Sequence, residues 1–152
     1  NVGNKLLDGY SVFLNNLIKK YGLQENVIYL GSLDENQIIA HLQEANVCVI
    51  PSFIETYCLA FAESMIVGTP TIASFAGAMP ELAENGKEAL FYNSVDYYTC
   101  AALIDKVLQD KELADRLSVT GRARRMSENN MDAVVNTQLE IYENVLSNER
   151  NI

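Results

Sequence analysis

Two glutamates, Glu55 and Glu63, stand at a spacing that could hold an extended anionic ligand. Glu55 directly precedes a helix expected over residues 57–67, and the free N–H groups of a helix N-terminus attract anions. Glu63 falls in the middle of that helix, whose residues are apolar almost all round. We expect such a helix to be buried, and a carboxylate inside it requires a partner or a cavity. If the whole span were helical, the two carboxylates would lie no more than about 12 Å apart.

A nucleotide diphosphate sugar could span the gap between these carboxylates. Its diphosphate would rest on the N-terminal amides of the helix, its ribose near Glu63 and its sugar near Glu55. A purely structural interpretation stays open here. Glu55 could be a helix-entry acid without a ligand, and Glu63 could bond to a buried hydroxyl or backbone group. The spacing alone does not separate these interpretations.

Apolar periodicity predicts short strands and helices in alternation, with Asp34 as a candidate helix cap. This alternation predicts an α/β fold, a Rossmann-like parallel sheet with helices on both faces. Ligands bind such sheets at the carboxyl ends of the strands. The expected strands cover residues 26–30, 47–50, 70–73 and 89–92, and the expected helices cover residues 6–21, 35–45, 57–67, 95–109, 111–125 and 132–146, with a short helix near Pro80.

Composition narrows the possible ligands. The 152 residues suit one domain. Acidic residues outnumber basic residues by 20 to 11, for a net charge of −9. This balance disfavours nucleic acid and anionic lipid surfaces as partners. No apolar run approaches the ~20 residues of a membrane helix. The three cysteines and the single histidine form no metal-ligand spacing, so we expect no metal site.

An ordered set of motifs runs through the chain, centred on Pro51-Ser-Phe-Ile-Glu55, seven further residues, and Glu63-Ser-Met-Ile-Val-Gly68-Thr-Pro70. Together with their flanking motifs they resemble the signature of retaining GT-B glycosyltransferases of the group 1 family, commonly called family four. The resemblance covers nearly all of the chain. The flanking motifs are Val27-Ile-Tyr-Leu30-Gly31, Gly77-Ala-Met-Pro80-Glu81-Leu-Ala, Asn85-Gly86 and Ile141-Tyr142-Glu143.

The resemblance implies a role for individual residues. It implies that Glu63 hydrogen-bonds the ribose of a nucleotide-sugar donor and that Glu55 lies near the donor sugar and the reaction centre as the catalytic residue. It also implies that backbone amides hold the diphosphate and that a loop lies against the base. The implied diphosphate-binding residues are Thr56, Tyr57, Cys58 and Leu59, and the implied base-contacting residues are Gly31 and Leu33.

The resemblance further implies how residues 1–152 are organised. They would form one nucleotide-sugar donor-binding domain, an N-terminally truncated C-terminal half of a larger two-domain enzyme with an N-terminal Rossmann domain as its partner. Such a hexosyltransferase moves a sugar with retention to a glycan, lipid-linked or small-molecule acceptor and needs neither metal nor cofactor. We expect a role in polysaccharide biosynthesis in the cytoplasm, with peripheral membrane attachment through the absent domain as an option.

Two departures from the family pattern concern the anion site. Thr56-Tyr57-Cys58 stands where the family usually has a Gly-Phe-Gly-like run, so side chains could crowd the diphosphate. No Lys or Arg occurs between Lys20 and Lys87, although a departing diphosphate needs donors or cations. The family places an Arg and a Lys upstream of the matching region, so we expect this chain alone to be inactive.

Other interpretations of the same pattern remain. A nucleotide-sugar epimerase-like or phosphorylase-like enzyme would share the architecture, although the phosphorylase calls for a pyridoxal-phosphate lysine and the central segment holds no lysine. A non-catalytic α/β binding module is the alternative from a different class. Binding of a nucleoside diphosphate would separate this module from a donor-binding domain.

Overall fold

The computed structural model of the chain describes residues 9–128 and 130–149 and has two compact units, Asn1–Glu35 and Asn36–Ile152. The strands are β1 (Cys48–Ile50), β2 (Thr71–Ser74) and β3 (Leu90–Tyr92). The helices are α1 (Gly9–Lys20), α2 (Glu35–Glu44), α3 (Leu59–Val67), α4 (Met79–Leu82), α5 (Tyr97–Gln109), α6 (Lys111–Glu128) and α7 (Met131–Glu149).

The first unit contains α1 and the irregular segment that follows it. The predicted helix over residues 6–21 is present from Gly9 to Lys20, and residues 6–8 lie outside the described part. The predicted strand over residues 26–30 is wrong, because these residues are turn and coil. Ile28 and Tyr29 are 80% and 92% exposed. A strand requires a neighbour for its backbone N–H and C=O groups, and the described residues of this unit supply none.

The second unit is built on a parallel sheet in the order β1-β2-β3. Ile72 of β2 is in register with Val49 of β1 on one side and Leu90 of β3 on the other. The bounds of these three strands differ from the predicted ones by at most one residue. Within the described residues β1 pairs with β2 alone, so its other edge carries no strand.

The sheet has a hydrophobic core on each face, because successive strand residues point to opposite sides. On one face Ala73 and Phe91 pack with buried residues of α3 and α4, namely Phe61, Met65, Met79 and Leu82. On the other face Ile72 and Leu90 pack with buried residues of α5 and α6, namely Val107, Leu113 and Leu117. The predicted α/β fold, a parallel sheet with helices on both faces, is confirmed.

A buried carboxylate ties the entrance of β3 to α6. Glu88 is 5% exposed and accepts hydrogen bonds from the backbone N–H of Glu84 at 2.7 Å and from Arg124 Nη1 at 3.0 Å. Lys87 Nζ lies 3.3 Å from its other oxygen. Burial acts to raise the pKa of this carboxyl, but these donors bring the pKa below its ordinary value. Glu88 is therefore held as a paired anion.

Helix α7 differs from the others in its surroundings. Residues 131–147 are all exposed, and they include apolar side chains such as Val134, Leu139 and Tyr142. No helix among the described residues is both long enough and apolar enough to cross a bilayer.

We expect Phe61→Ala to lower the free energy of unfolding by about 3–5 kcal/mol. Phe61 is fully buried and its ring packs against Phe91, with centroids 5.7 Å apart. Urea unfolding followed by circular dichroism measures the change. Phe53→Ala serves as the control, because Phe53 is 70% exposed and its removal should cost less than about 0.5 kcal/mol. Equal losses from the two variants would contradict the described core.

Candidate functional site

Two loops meet at the carboxyl edge of the parallel sheet, where ligands bind in folds of this class. Residues 51–58 follow β1 and lead into α3, and residues 75–78 follow β2 and lead into α4. The first loop carries Glu55 and the residues that were predicted to hold a diphosphate. The candidate site is therefore built on loops that a rigid sheet positions.

The two loops approach each other closely enough to require a glycine. Ala78 N–H donates a hydrogen bond to the carbonyl of Thr56 at 2.8 Å. The neighbouring Gly77 has a φ of +53°, and a Cβ on it would stand 2.4 Å from the carbonyl oxygen of Glu55. No larger residue fits there without moving the backbone of the first loop. Gly77 thereby fixes the separation of the loops.

The Glu55 carboxylate is held by a neighbouring hydroxyl. Glu55 is half buried, and Ser52 Oγ donates to its Oε1 at 2.9 Å. The backbone of Ser52 is held in turn, because its carbonyl accepts a hydrogen bond from Ser74 Oγ at 2.5 Å. Ser74 ends β2 and is fully buried. Hydrogen bonds thus connect the end of β2 to Glu55 through one intermediate residue, Ser52.

Cys58 has the conformation of a glycine at the N-terminus of α3. It is the N-cap residue and adopts a left-handed backbone conformation, with φ 65° and ψ 79°. The family that the sequence resembles usually has a glycine at this position. Burial raises the pKa of its thiol, and the nearby carboxylates of Glu55 and Glu63 raise it further. Both predicted glutamates therefore lie close enough to this one thiol to act on it electrostatically.

The prediction that α3 is buried all round is wrong, and so is the expected burial of Glu63. The helix begins at Leu59 instead of residue 57 and is covered on its core side only. The buried side chains are Phe61, Ala62, Ser64 and Met65, whereas Leu59, Ala60 and Glu63 are exposed. A helix packed on one side leaves the opposite stripe open even when that stripe is apolar. The Glu63 carboxylate is therefore accessible to a ligand.

The other predicted donor-binding residues fall into two groups. Thr56, Tyr57 and Leu59 are exposed at the N-terminus of α3. Gly31 and Leu33 belong to the first unit, where Gly31 has a φ of +73° and Leu33 is half buried. The contact of Gly31 and Leu33 with a base stays a prediction.

Backbone groups are the main positive elements of this loop region. The sequence places no Lys or Arg in residues 21–86, and the single histidine, His41, is exposed on α2. Within the described ranges, no group of three or more His, Cys, Asp or Glu side chains is arranged to hold a metal ion. An anion at this edge would be met by the amides of the α3 N-terminus.

Sequence reasoning missed the residues that support Glu55. Ser52 lies inside the Pro51-to-Glu55 motif, so its position next to the candidate acid was a usable signal. The hydrogen bond from Ser74 Oγ to the Ser52 carbonyl joins residues 22 apart in the chain. It can be recognised only when the register of β1 and β2 is known. The loop contact at Gly77 likewise required the relative position of β1 and β2.

We expect Gly77→Ala to lower the free energy of unfolding by about 1–2 kcal/mol more than Gly86→Ala. Both glycines have positive φ, but only Gly77 has backbone atoms where the Cβ would stand, whereas nothing lies within 4 Å of that point at Gly86. Urea unfolding measures the loss of stability in each variant. Because both substitutions place alanine at positive φ, the difference between the two losses reports the steric clash at Gly77 alone. The same loss in both would show that the loops do not need this close contact.

We expect Cys58→Val to destabilise the chain by at least about 2 kcal/mol, because a β-branched residue strongly resists the left-handed region that residue 58 occupies. Cys58→Gly should stay within about 1 kcal/mol of the wild type, since the relief of strain offsets the larger entropy of the unfolded chain. Thermal unfolding of both variants provides the measurement. A valine variant as stable as the glycine variant would rule out the left-handed N-cap.

Known proteins resemble this chain in both sequence and fold. The family model described as "Glycosyl transferases group 1" matches residues 7–124. The MMP alpha-(1->4)-mannosyltransferase of Mycolicibacterium hassiacum is 30% identical over 132 residues, which are 86% of this chain and 32% of that protein. The chain thus spans about a third of the length of the curated relatives it matches.

Two solved structures extend the comparison to the fold. Sucrose-phosphate synthase from Thermosynechococcus elongatus is 28% identical with a TM-score of 0.80, over 91% of this chain and 35% of that one. The Anabaena protein HepE, solved in complex with UDP, is 23% identical with a TM-score of 0.77, over 91% of this chain and 37% of that one. The chain therefore belongs to the group 1 family of glycosyl transferases and has the fold of a GT-B C-terminal domain.

Proposed function

We propose that this chain is the nucleotide-sugar donor-binding domain of a larger, retaining glycosyltransferase. The observation that carries the proposal is the arrangement at the carboxyl edge of the parallel sheet, where Glu55 directly precedes the N-terminus of α3 and Glu63 is exposed on that helix. Membership of the glycosyl transferases group 1 family supports it. HepE, which shares the fold, was solved with UDP and with UDP-glucose.

In this proposal the diphosphate of the donor binds at the N-terminus of α3. The amides around Thr56, Tyr57, Cys58 and Leu59 would donate to its oxygens. Leu59 begins α3, where the first N–H groups have no partner within the helix, and Thr56, Tyr57 and Cys58 directly precede it. The left-handed backbone at Cys58 supports this role, since it gives the chain the turn that a glycine would otherwise supply. The side chains of Thr56 and Tyr57 are exposed.

The two carboxylates would bind the two sugar rings of the donor. Glu63 is exposed one to two turns beyond the N-cap, where it can accept hydrogen bonds from the ribose hydroxyls. Glu55 lies ahead of the helix in a half-buried position, which suits a catalytic residue beside the transferred sugar. Gly31 and Leu33 of the first unit are the proposed contacts of the base.

The complete enzyme in this proposal has two domains, of which residues 1–152 form the donor-binding one. Its N-terminal Rossmann domain would supply the acceptor site, and the Arg and Lys that neutralise the leaving diphosphate would come from upstream of this chain. The acceptor would be a glycan, a lipid-linked sugar or a small molecule. Closure of the two domains would exclude water from the reaction centre, without a metal or a further cofactor.

Ligand binding tests this proposal directly. We expect saturation-transfer NMR to detect binding of at least one of UDP, GDP and ADP to the chain at millimolar concentration. Glu63→Gln should lower the affinity for the nucleoside diphosphate about tenfold, because a ribose hydroxyl loses a charged acceptor. Glu112→Gln is the matched control, since Glu112 is exposed in the first turn of α6 and carries the same charge.

Two outcomes would count against the proposal. Absence of binding by all three nucleoside diphosphates would favour the non-catalytic α/β module. Binding that Glu63→Gln leaves unchanged would remove the ribose assignment while keeping the diphosphate site.

A further inference from the structure

The loop that carries Glu55 is held by a chain of hydrogen bonds that begins in the sheet. The backbone register of β1 and β2 ends at the pair Ile50 and Ala73. One residue further along β2, Ser74 Oγ continues the connection by donating to the carbonyl of Ser52 at 2.5 Å, with the carbonyl of Ile50 at 3.5 Å. The Ser74 hydroxyl therefore donates to a loop carbonyl in the same way that a backbone N–H donates to a carbonyl of the neighbouring strand.

Burial favours this connection. Ser74 is fully buried, so its hydroxyl needs a partner within the protein, and the Ser52 carbonyl is the nearer of its two acceptors. The second fastening, from Ala78 N–H to the Thr56 carbonyl, lies on the far side of Glu55. Glu55 is thus carried on a short segment that is anchored at both ends.

Ser52 is the link between this anchored backbone and the carboxylate. Its side chain is half buried, and its Oγ donates to Oε1 of Glu55 at 2.9 Å. A carboxylate has about four acceptor positions on two oxygens. A donor fixed on one oxygen limits the rotation of the side chain. The carboxylate also interacts with the Cys58 thiol, and its remaining acceptor positions are left for a further donor.

We propose that Ser52 is a positioning residue that holds the Glu55 side chain in one rotamer, so that its carboxylate is presented to a hydroxyl of the donor sugar, and that Ser74 fixes Ser52. This inference rests on the proposed donor-binding function and deepens it. It assigns recognition of the sugar to a Ser74–Ser52–Glu55 chain, and recognition of the nucleoside diphosphate to other groups. Ser52 itself touches no ligand in this scheme.

The first measurement uses the chain without ligand. Three-bond couplings in the isotopically labelled chain report the χ1 rotamer of Glu55. We expect one rotamer in the wild type, averaging among rotamers in Ser52→Ala, and one rotamer again in Ser52→Thr, which restores the hydroxyl. A single rotamer in Ser52→Ala would overturn the positioning role whatever the ligand results are.

The second measurement compares the affinities of UDP and UDP-glucose, of GDP and GDP-mannose, and of ADP and ADP-glucose by calorimetry. For the pair that the wild type binds, Ser52→Ala should weaken the nucleotide sugar about tenfold and the nucleoside diphosphate less than twofold. Ser52→Thr should recover most of the loss. Equal weakening of both ligands would indicate general loosening of the loop and would overturn the inference.

A matched control separates positioning from stability. Ser118 Oγ donates to the carbonyl of Gly68 at 2.5 Å, a bond of the same kind as that of Ser74 but between α6 and the end of α3. Both Ser74→Ala and Ser118→Ala should lower the free energy of unfolding. Only Ser74→Ala should also cause rotamer averaging at Glu55, and the same averaging in both variants would contradict the proposed chain.

The outcomes also distinguish this inference from the function on which it rests. If the wild type binds none of the diphosphates, the proposed function fails, and the rotamer measurement still decides whether Ser52 positions Glu55. If the wild type binds a diphosphate but gains no affinity from the attached sugar, the donor-binding function stands and the sugar-presenting role of Glu55 is overturned.

Discussion

The close contact between Gly77 and the backbone carbonyl of Glu55 sets the geometry of the whole carboxyl edge. It determines how near the loop after β2 comes to the loop after β1, and thereby the direction in which the chain enters α3. The hydrogen bond from Ala78 N–H to the Thr56 carbonyl joins the two loops at that separation. The left-handed turn at Cys58 then brings the chain into the helix. The close approach of the two loops therefore depends on this one missing Cβ.

In the proposed donor site, an acidic chain would hold phosphate with backbone groups and without a lysine. Helix N-termini attract anions through N–H groups that stay fixed and carry no counter-charge to be neutralised elsewhere. Such a site contributes less than a cation does at the moment when a leaving group gains charge. The composition therefore suits the proposed donor-binding role, in which cations from outside residues 21–86 would stabilise the charge of the leaving group.

The elements that depend on local sequence pattern were predicted well. The predictions failed where a distant part of the chain decides whether a side chain is buried or a strand finds a partner. The strands at Cys48–Ile50, Thr71–Ser74 and Leu90–Tyr92 are continuous apolar runs between turn residues, and they were predicted closely. Val27 to Leu30 has a similar pattern but lacks a partner in its unit, so it is coil. Glu63 was expected to be buried and is exposed, whereas Glu88 is buried through Arg124, which lies 36 residues away. No local pattern reports which neighbour will cover a side chain.

The outer edge of β1 combines an apolar sequence with the lack of a second paired strand among the described residues. Val47, Cys48, Val49 and Ile50 are apolar without a break, a composition suited to an interior strand, yet in the described part of the chain β1 has a neighbour on one side only. Unpaired N–H and C=O groups along an apolar edge are a template for pairing with another molecule. Pairing with a further strand would satisfy both the backbone groups and the apolar side chains of β1 at this edge.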